Sequence, residues 1–469
     1  MRYISTRGEA PVLAFSDALL AGLARDGGLY VPEAFPVLAP TAISALAGHT
    51  YAEVAGRVIA PFVDPIFTPD VLRPMLEAAY ASFRHPATTP LVQIAPNRFV
   101  LELFHGPTLA FKDVAMQLLG RMMDHVLAAR DQHATIVGAT SGDTGSAAIE
   151  AFRGSARTDV FILYPAGRVS EVQRRQMTAV PDANVHAIAI DGTFDDCQAQ
   201  VKAMFNHHAF RDRQRLAGVN SINWARIVSQ VVYYFVAGVA LGAPHRKVSF
   251  VVPTGNFGDV LAGYVAKRMG LPIERLVVAT NVNDILARTL ETGRYEVSGV
   301  RPSSSPSMDI EVSSNFERVL FETLDRDAGA LRGLMASLAQ AGAFSPPNAS
   351  MEALRADFDA GRADEAQTAE TIARVRAETG YLLDPHTAVA VSVAERVAHD
   401  PHVPQVVLAT AHPAKFPDAV ERACGERPAL PPHLADLMER PERLPTLPND
   451  LSAIEAYITR HARASETLA

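Results

Sequence analysis

The chain has 469 residues, 48% of them hydrophobic and 20% charged, which is ordinary for a soluble globular protein of two or three domains. Its formal net charge of −8, with no basic tail or stripe, argues against a nucleic-acid partner. Cys197 and Cys424 form no CxxC pair, so no disulfide or metal site is expected. The polar start and the lack of an apolar run near the roughly 20 residues of a membrane span predict a cytoplasmic protein without a membrane partner.

The first 95 residues predict a separate, mostly helical extension. Residues 51–62 and 68–81 carry apolar residues at helical spacing, and Thr68 is placed to cap the second helix before Pro69. A turn at residues 26–32 leads into a short strand. No cluster of chemically active side chains occurs here, so the pattern favours a helical cap.

Lys112 stands where a predicted strand and a Gly-Pro turn at residues 101–107 give way to a helix running to about Arg130. Its neighbours at positions 108–111 and 114–116 are mostly apolar, and the positive end of the helix dipole lies beside it. Both influences disfavour the ammonium form and lower the pKa, as a Schiff-base lysine requires. The alternative is a partly buried lysine that reaches the surface, and this motif alone does not decide between them.

Two glycine-rich turns strengthen the first interpretation. They are residues 139–146, after the apolar run 135–137, and residues 253–259, after the run 248–252. Each predicts a strand, a tight turn and a helix N-terminus, whose unpaired N–H groups bind anions. Neither matches the dinucleotide or P-loop spacing, and either one alone is equally an ordinary strand-to-helix turn. Together with Lys112, they suggest a cofactor phosphate in one turn and a substrate anion in the other.

From about residue 98 apolar runs alternate with helical patterns, which predicts parallel sheets in an α/β architecture. The strand-like runs are 135–137, 160–163, 185–190, 248–252, 275–279 and 405–409. Residues 301–306 are rich in Pro and Ser and predict a loop over the site. Helical segments are expected to fill about 315–379, and a last helix lies near 451–463. Trp224, the only tryptophan, is expected to pack rather than to react.

Four strings in this order resemble the threonine synthase family of pyridoxal-phosphate (PLP) enzymes, and the resemblance covers essentially the whole chain. The strings are Leu103–Thr108 with Phe111–Asp113, Thr140–Gly145, Gly255–Asp259 and Thr410–Phe416. The resemblance implies an α/β fold of the tryptophan-synthase-β type (fold type II), with two parallel-sheet domains and the N-terminal extension. It further implies a large PLP-binding domain of residues 96–130 and 226–469, into which a smaller α/β domain of residues 131–225 is inserted.

The resemblance implies how PLP is held. Lys112 is then the catalytic residue, which binds the cofactor covalently and shuttles a proton once displaced by substrate. Thr410 would form a hydrogen bond with the pyridine nitrogen. A hydroxyl partner does not enforce a protonated ring as a carboxylate does, so the cofactor would be a weaker electron sink. Asp143 stands near the phenolic oxygen, where related enzymes of this fold often have Asn. The residues expected at the cofactor phosphate are Gly255, Asn256, Phe257, Gly258 and Asp259, and Asp259 needs a side chain that points away from it.

A second set of residues is expected to bind the substrate. The substrate carboxylate would meet Thr140, Ser141, Gly142 and Thr144. Arg226 would bind the substrate phosphate with Asn220 and Ser221, because a guanidinium fork suits phosphate better than a point charge does. Arg168 is a second candidate for the phosphate. The alternative for either arginine is a surface salt bridge.

The activity implied by the resemblance is conversion of O-phospho-L-homoserine and water to L-threonine and phosphate, a carbon–oxygen lyase reaction of threonine biosynthesis. One alternative is a related phospholyase or dehydratase that releases a keto acid. Another is a non-catalytic PLP-binding paralogue, against which the intact Lys112 and the two glycine-rich turns argue. The sequence predicts no particular oligomeric state.

Overall fold

The N-terminal region packs short strands and helices onto the rest of the chain, in a computed structural model that describes residues 1–463. Its elements are β1 (Arg2–Ser5), β2 (Leu13–Ala14), α1 (Phe15–Ala21), β3 (Tyr30–Pro32), α2 (Pro40–Ser44), α3 (Tyr51–Ile59) and α4 (Pro69–Tyr80). The strands form an antiparallel sheet in the order β2-β1-β3. As predicted, α4 begins at Pro69 directly after Thr68, where the missing N–H of proline costs no hydrogen bond. Thr68 occupies the capping position, but its side chain forms no capping hydrogen bond in the described chain.

The body of the chain alternates strands and helices. Its first part contains β4 (Leu91–Ala95), β5 (Arg98–Glu102), α5 (Lys112–Ala129), β6 (Ala134–Ala139), α6 (Asp143–Phe152), β7 (Thr158–Pro165), α7 (Glu171–Thr178), β8 (Val185–Ile190), α8 (Phe194–Asn206), α9 (His208–Gln214) and β9 (Leu216–Ala217). There follow α10 (Trp224–Ala240), β10 (Val248–Pro253), α11 (Gly258–Arg268), β11 (Ile273–Thr280), α12 (Ile285–Thr292) and β12 (Tyr295–Glu296). The last part contains α13 (Phe316–Thr323), α14 (Ala328–Ala341), β13 (Ala343–Phe344), α15 (Asn348–Asp357), β14 (Phe358–Arg362), α16 (Glu365–Thr379), α17 (Pro385–Ala394), β15 (Gln405–Ala409), α18 (Pro417–Cys424), β16 (Thr446–Leu447) and α19 (Leu451–His461).

The larger sheet has six strands in the order β14-β11-β10-β15-β5-β4. All neighbours are parallel except β4, which runs antiparallel to β5 at the edge. The central strands β10 and β15 are buried along their whole length, as expected when helices cover both faces. Strand β4 falls in the range predicted for the N-terminal extension (1–95), but its pairing makes it part of this sheet.

The smaller sheet has five parallel strands in the order β16-β8-β7-β6-β9. Strand β16 joins its edge, and Ile454 and Ile458 of α19 pack on the same apolar cluster as Ile188. The C-terminal segment therefore belongs to the smaller sheet, whereas the sequence analysis placed all of 226–469 in the large domain. This packing buries the apolar face of α19. The sequence before α19 has no linker composition that would predict a change of domain. Residues 464–469 of that range lie outside the described part of the chain.

Strand β14 lies within the stretch predicted to be helical, residues 315–379. It extends the larger sheet by pairing in parallel with β11, where Val278 is opposite Ala360. The misleading signal is its composition, Phe-Asp-Ala-Gly-Arg, which alternates weakly and contains no β-branched residue. Gly361 is needed because a Cβ at this position would lie 2.8 Å from Cγ1 of Val393. Tertiary packing thus decides the conformation of this segment.

The N-terminal region is fixed to the body through aromatic packing around Trp224. The indole is 1% exposed, and ring centroids of Tyr3, Phe35 and Phe62 lie 6.2 to 6.4 Å from it. The guanidinium of Arg318 covers the same ring at 5.4 Å. The packing role predicted for Trp224 is confirmed.

Two backbone contacts bring the start of α5 to the end of β15. Phe111 N–H donates to the carbonyl of Thr410 at 2.8 Å, and Ala110 forms an isolated antiparallel bridge with Ala411. Lys112 therefore sits at the carboxyl edge of the larger sheet, where α/β folds bind ligands. None of the helices within residues 1–463 combines the length and the apolarity that crossing a membrane demands.

Candidate active site

A cavity of about 1020 Å³ lies where the carboxyl ends of strands from both sheets meet. The predicted site residues that line it are Lys112, Thr140, Ser141, Asp143, Thr144, Asn220, Ser221, Arg226, Gly255, Asn256, Phe257, Gly258, Asp259 and Thr410. Two predicted residues do not line it, Gly142 and Arg168. The N-terminal region also contributes to the wall, through Arg7, Gly22 and Gly27, although its sequence showed no chemically active cluster.

Lys112, the first residue of α5, points its amine into this cavity with 8% of the residue exposed. Its Nζ lies 3.4 Å from Oδ2 of Asp143 and 3.3 Å from Oγ of Ser307, and 4.9 Å from the centre of the Phe111 ring. Burial lowers the pKa of Lys112, and the cations of Lys415 and Arg226 lower it further, although Asp143 acts in the opposite direction. The predicted direction of the shift is confirmed, with burial as its main cause.

Asp143 begins α6 and is held by two lysines at once. Its Oδ1 accepts from Nζ of Lys415 at 2.9 Å and from Nε2 of Gln173 at 2.9 Å, while Oδ2 faces Lys112 and Ser307. Burial would raise the pKa of this carboxyl, but Lys415 and then Lys112 outweigh burial and hold it well below its usual range. Asp143 is therefore an ionised group whose charge is compensated within the protein.

Lys415 was named in a sequence string but not selected as a site residue. It is fully buried and does not line the cavity. Its three N–H donors are matched by Asp143, by the carbonyl of Thr108 at 2.7 Å and by Oε1 of Gln176 at 3.0 Å. Of the two lysines at Asp143, only Lys112 has an amine that a ligand can reach.

The turn before α6 is shaped by Thr140, whose Oγ1 accepts from the N–H groups of Gly142 and Gly145, each at 2.9 Å. This hydroxyl therefore closes the turn as an acceptor, and because Thr140 also lines the cavity, its expected contact with the substrate carboxylate stays a prediction. Gly142 has φ 138°, and a Cβ there would lie 2.3 Å from Cδ of Gln173, so this residue faces Gln173 and not the cavity. Ser141 and Thr144 line the cavity beside the helix N-terminus, whose first N–H groups have no intrahelical partner.

The turn at residues 255–259 presents the N-terminus of α11 to the cavity. Phe257 adopts a left-handed conformation with φ 61°. The carbonyls of Gly255 and Asn256 are turned away, because Oγ of Ser313 donates to the first at 2.7 Å and Nδ2 of Asn315 to the second at 3.1 Å. The arrangement leaves N–H groups at the helix start, which suits an anion.

Asp259 in the same turn directs its carboxyl into the protein. Tyr233 and Tyr234 both donate to Oδ1, the latter at 3.0 Å, while Oδ2 is buried without a partner among the described residues. Burial raises the pKa of Asp259 to about 6, against the lowering effect of the two tyrosines. The side chain thus turns away from the helix start, as the sequence analysis required.

Arg226 lines the cavity from the first turn of α10 and is 3% exposed. The only hydrogen bond of its guanidinium in the described chain runs from Nη1 to the carbonyl of Val219 at 3.3 Å, and Nε has no partner there. Within residues 1–463 no carboxylate pairs with it, and burial lowers its pKa to about 10. Ser221 is half-buried and Asn220 exposed at the same wall. Arg226 is therefore a buried cation for which the described residues supply no counter-ion.

Arg168 lies on the exposed turn between β7 and α7 and takes no part in this cavity. The motif that pointed to it, Tyr-Pro-Ala-Gly-Arg, begins at the end of a buried strand, but from Ala166 to Arg168 the chain is exposed to solvent. Its electrostatic influence falls on Asp196 of α8. The prediction that Arg168 is a phosphate ligand is therefore not supported by its position.

Ser307 and His386 belong to the site but were missed in the sequence. Ser307 lies in a short 3-10 turn, Pro306–Met308, at the end of the Pro/Ser-rich stretch, and residues 301–309 together form the covering loop. Its Oγ contacts both Lys112 and Asp143. His386 Nε2 accepts from the Ser307 N–H at 3.2 Å, and its Nδ1 pairs with Oδ2 of Asp384 at 2.7 Å. The only signal available was the expectation that this loop covers the site.

Comparison with known protein families gives three matches along the chain. Residues 2–80 match the threonine synthase N terminus, residues 83–412 the pyridoxal-phosphate dependent enzymes, and residues 387–458 the threonine synthase C-terminal region. A threonine synthase of Pseudomonas aeruginosa is 54% identical over 469 residues and covers 100% of both chains.

Solved structures agree with this assignment. A PLP-bound threonine synthase from Brucella melitensis superposes with a TM-score of 0.96 at 61% identity, covering 99% of this chain and 100% of that one. The yeast threonine synthase superposes with a TM-score of 0.93 at 39% identity, covering 98% of each. The chain therefore belongs to the threonine synthase family of PLP-dependent enzymes.

Proposed function

We propose that this chain converts O-phospho-L-homoserine and water to L-threonine and phosphate, with PLP bound at Lys112. The observation that carries the proposal is a reachable lysine amine of lowered pKa that shares one cavity with a buried guanidinium lacking a counter-ion. The first is what covalent PLP binding requires, and the second is a site for a phosphate. Membership of the threonine synthase family supports the same reaction.

The residues present fit PLP. The helix start at Gly258 and Asp259, with the preceding carbonyls turned away, is suited to the cofactor phosphate. The position of Thr410 in the cavity wall, after β15 and beside the start of α5, supports a hydrogen bond from its hydroxyl to the pyridine nitrogen. When bound, PLP would act as an electron sink for the amino-bearing carbon of the substrate, so that the proton on that carbon, and then one on the adjacent carbon, becomes removable.

Lys112 is the group that moves protons. Its Nζ in the neutral form accepts a proton from the substrate, and as an ammonium it returns one. The lowered pKa makes the neutral form of this amine easier to reach than that of an ordinary lysine. Ser307 Oγ, 3.3 Å from Nζ, orients the amine from the side of the covering loop.

Substrate binding is assigned to the groups opposite Lys112. Arg226, with Ser221 and Asn220, binds the γ-phosphate, and the helix N-terminus at Ser141 and Thr144 binds the carboxylate. Holding both ends of a short substrate orients its reacting carbons toward Nζ of Lys112. The Cβ of Ser221 lies 3.9 Å from where a Cβ on Gly258 would be, so the two proposed phosphate sites are neighbours.

Product analysis tests this proposal. Incubation of the purified protein with PLP and O-phospho-L-homoserine should release L-threonine and inorganic phosphate in equal amounts. Phosphate accompanied by a keto acid instead of threonine would make the protein a phospholyase. Absence of both PLP absorbance and phosphate release would contradict the proposed activity altogether.

A further inference from the structure

The proposed reaction uses one lysine, yet two lysines meet in the core of this site. The chain has only five lysines, Lys112, Lys202, Lys247, Lys267 and Lys415, against a total of 43 lysines and arginines. Arginine is thus the usual cation of this protein, and Lys415 stands out as the one lysine that is fully buried. Its place opposite Lys112 calls for a chemical reason.

Asp143 is the link between the two amines. Lys415 contacts Oδ1 at 2.9 Å, while Lys112 lies 3.4 Å from Oδ2. Gln173 and Ser307 complete the shell of this carboxylate, one at each oxygen. Lys415 is thus the closer cation, and its remaining donors are fixed by Thr108 and Gln176.

We propose that Lys415 is a positioning residue for Lys112: its ammonium takes up the charge of Asp143, so that Asp143 does not hold Lys112 in a permanent ion pair. The Lys112 amine then stays available for reaction, and Lys415 itself cannot compete because its donors are used and it is sealed from the cavity. The consequence for catalysis rests on the proposed function, whereas the charge relationship between the three side chains does not.

The charges around Lys112 support this division of roles. Around Lys112, Asp143 and Lys415, the other titratable or charged groups from the packed elements of the described chain are Arg226, Asp259, His386 and Asp113. After burial and Asp143, Lys415 has the largest influence on the pKa of Lys112, and it lowers that pKa. For Asp143, Lys415 contributes more than Lys112 to the low pKa. Without Lys415, Lys112 should therefore be the only cation that remains paired with Asp143.

A purely structural role is the alternative. Lys415 follows β15 of the larger sheet, whereas Asp143 and Gln176 lie on helices α6 and α7 beside the smaller sheet. The same contacts would join the two units even if the charge on Lys415 had no effect on Lys112. The two explanations differ in one observable, the pH at which the Lys112 amine loses its proton.

Competitive acetylation with acetic anhydride measures that pH for each lysine separately, by peptide mass spectrometry of the full-length protein freed of PLP. Lys415→Gln should move the midpoint of Lys112 acetylation upward by about one pH unit, because a nearby cation is lost. Asp143→Asn should move it downward. The double variant Asp143→Asn with Lys415→Gln replaces the ion pair by two neutral side chains that can still form a hydrogen bond. Its midpoint of Lys112 acetylation should lie about one pH unit above that of Asp143→Asn alone.

The exposed Lys247 is the internal control, and its midpoint should be the same in every variant. If Lys415→Gln does not fold, the comparison of Asp143→Asn with the double variant tests the same charge. Equal Lys112 midpoints with and without Lys415 would overturn the proposal and leave Lys415 a structural cross-link. Added PLP should protect Lys112 from acetylation; failure of this protection would count against the proposed function and not against the role of Lys415.

Discussion

The backbone N–H of Ser307 donates to Nε2 of His386 at 3.2 Å, which fixes the covering loop against α17. The opposite ring nitrogen of His386 pairs with Asp384, so Nε2 is the acceptor in this tautomer. Asn281 reinforces the loop by donating to Oδ1 of Asp309 at 2.8 Å. As a result, Ser307 Oγ is held at both Lys112 and Asp143.

Ser307→Ala should lower kcat for O-phospho-L-homoserine by about tenfold, because one hydrogen bond that orients Lys112 is lost. The binding of PLP should change little, since the cofactor contacts assigned to Gly258 and Thr410 remain. Steady-state kinetics measure the first effect and PLP titration the second. Ser304→Ala is the matched control, because this serine of the same loop bonds Glu365 at the exposed side. Equal kcat values for the two variants would remove Ser307 from the site.

Arg226→Lys should reduce kcat/KM for O-phospho-L-homoserine by about one to two powers of ten, since lysine keeps the charge but loses the guanidinium fork. Binding of unphosphorylated threonine, followed by absorbance, should barely change. Arg168→Lys serves as the control and should leave both values unaltered, because Arg168 is exposed outside the cavity. A loss of PLP affinity in Arg226→Lys would instead assign this arginine to the cofactor phosphate.

Gly258→Val should weaken PLP binding by about tenfold or more, because a β-branched side chain obstructs the approach of a phosphate to the helix start. A Cβ on Gly258 already lies 3.4 Å from Nδ2 of Asn315, which is buried and fixed by other bonds. Titration of the PLP-free protein measures the affinity. Gly333→Ala, on an open face of α14, should leave it unchanged. Unaltered affinity in Gly258→Val would separate this turn from the cofactor.

Asp259 gives the stability of the PLP-free protein a pH dependence with a defined sign. Its folded pKa of about 6 lies above the ordinary value of 3.8, so protonation favours the folded state. This contribution is fully present below about pH 4 and is lost as the pH rises through 6. Between pH 5 and pH 7.5, wild type should therefore lose about 1 kcal/mol relative to Asp259→Asn. Denaturation of both proteins at the two pH values measures it, and a constant difference would contradict the assignment.

The parts of the fold that repeat a simple pattern were predictable from the sequence. The runs 185–190 and 405–409 are strands with the predicted bounds, and the helix beginning at Lys112 ends at Ala129. Their signal is local, because an apolar run or a helical period reports burial directly. Strand β14 and the C-terminal β16 depend instead on edges offered by distant strands, which local pattern does not encode.

The site residues also divide into those that local sequence pattern predicts and those that depend on distant segments of the chain. Glycine-rich turns next to strands marked two parts of the cavity wall, because tight turns at helix starts have a recognisable composition. The motif for Arg168 was equally plausible, but whether a turn faces a cavity or solvent depends on the course of the chain after it. Lys415 and Ser307 were missed because they come from distant segments, and only the folded chain brings them to Asp143.

The central claim is that Lys112, and not the neighbouring Lys415, carries the cofactor. Borohydride reduction of the PLP-loaded protein, followed by peptide mass spectrometry, locates the modified lysine directly. The account predicts the cofactor on the peptide containing Lys112, with the peptides of Lys415 and of the exposed Lys247 unmodified. Lys112→Ala should lose both this label and all turnover while remaining folded, because it removes one side chain at a cavity. A label on Lys415, or full turnover in Lys112→Ala, would contradict the account.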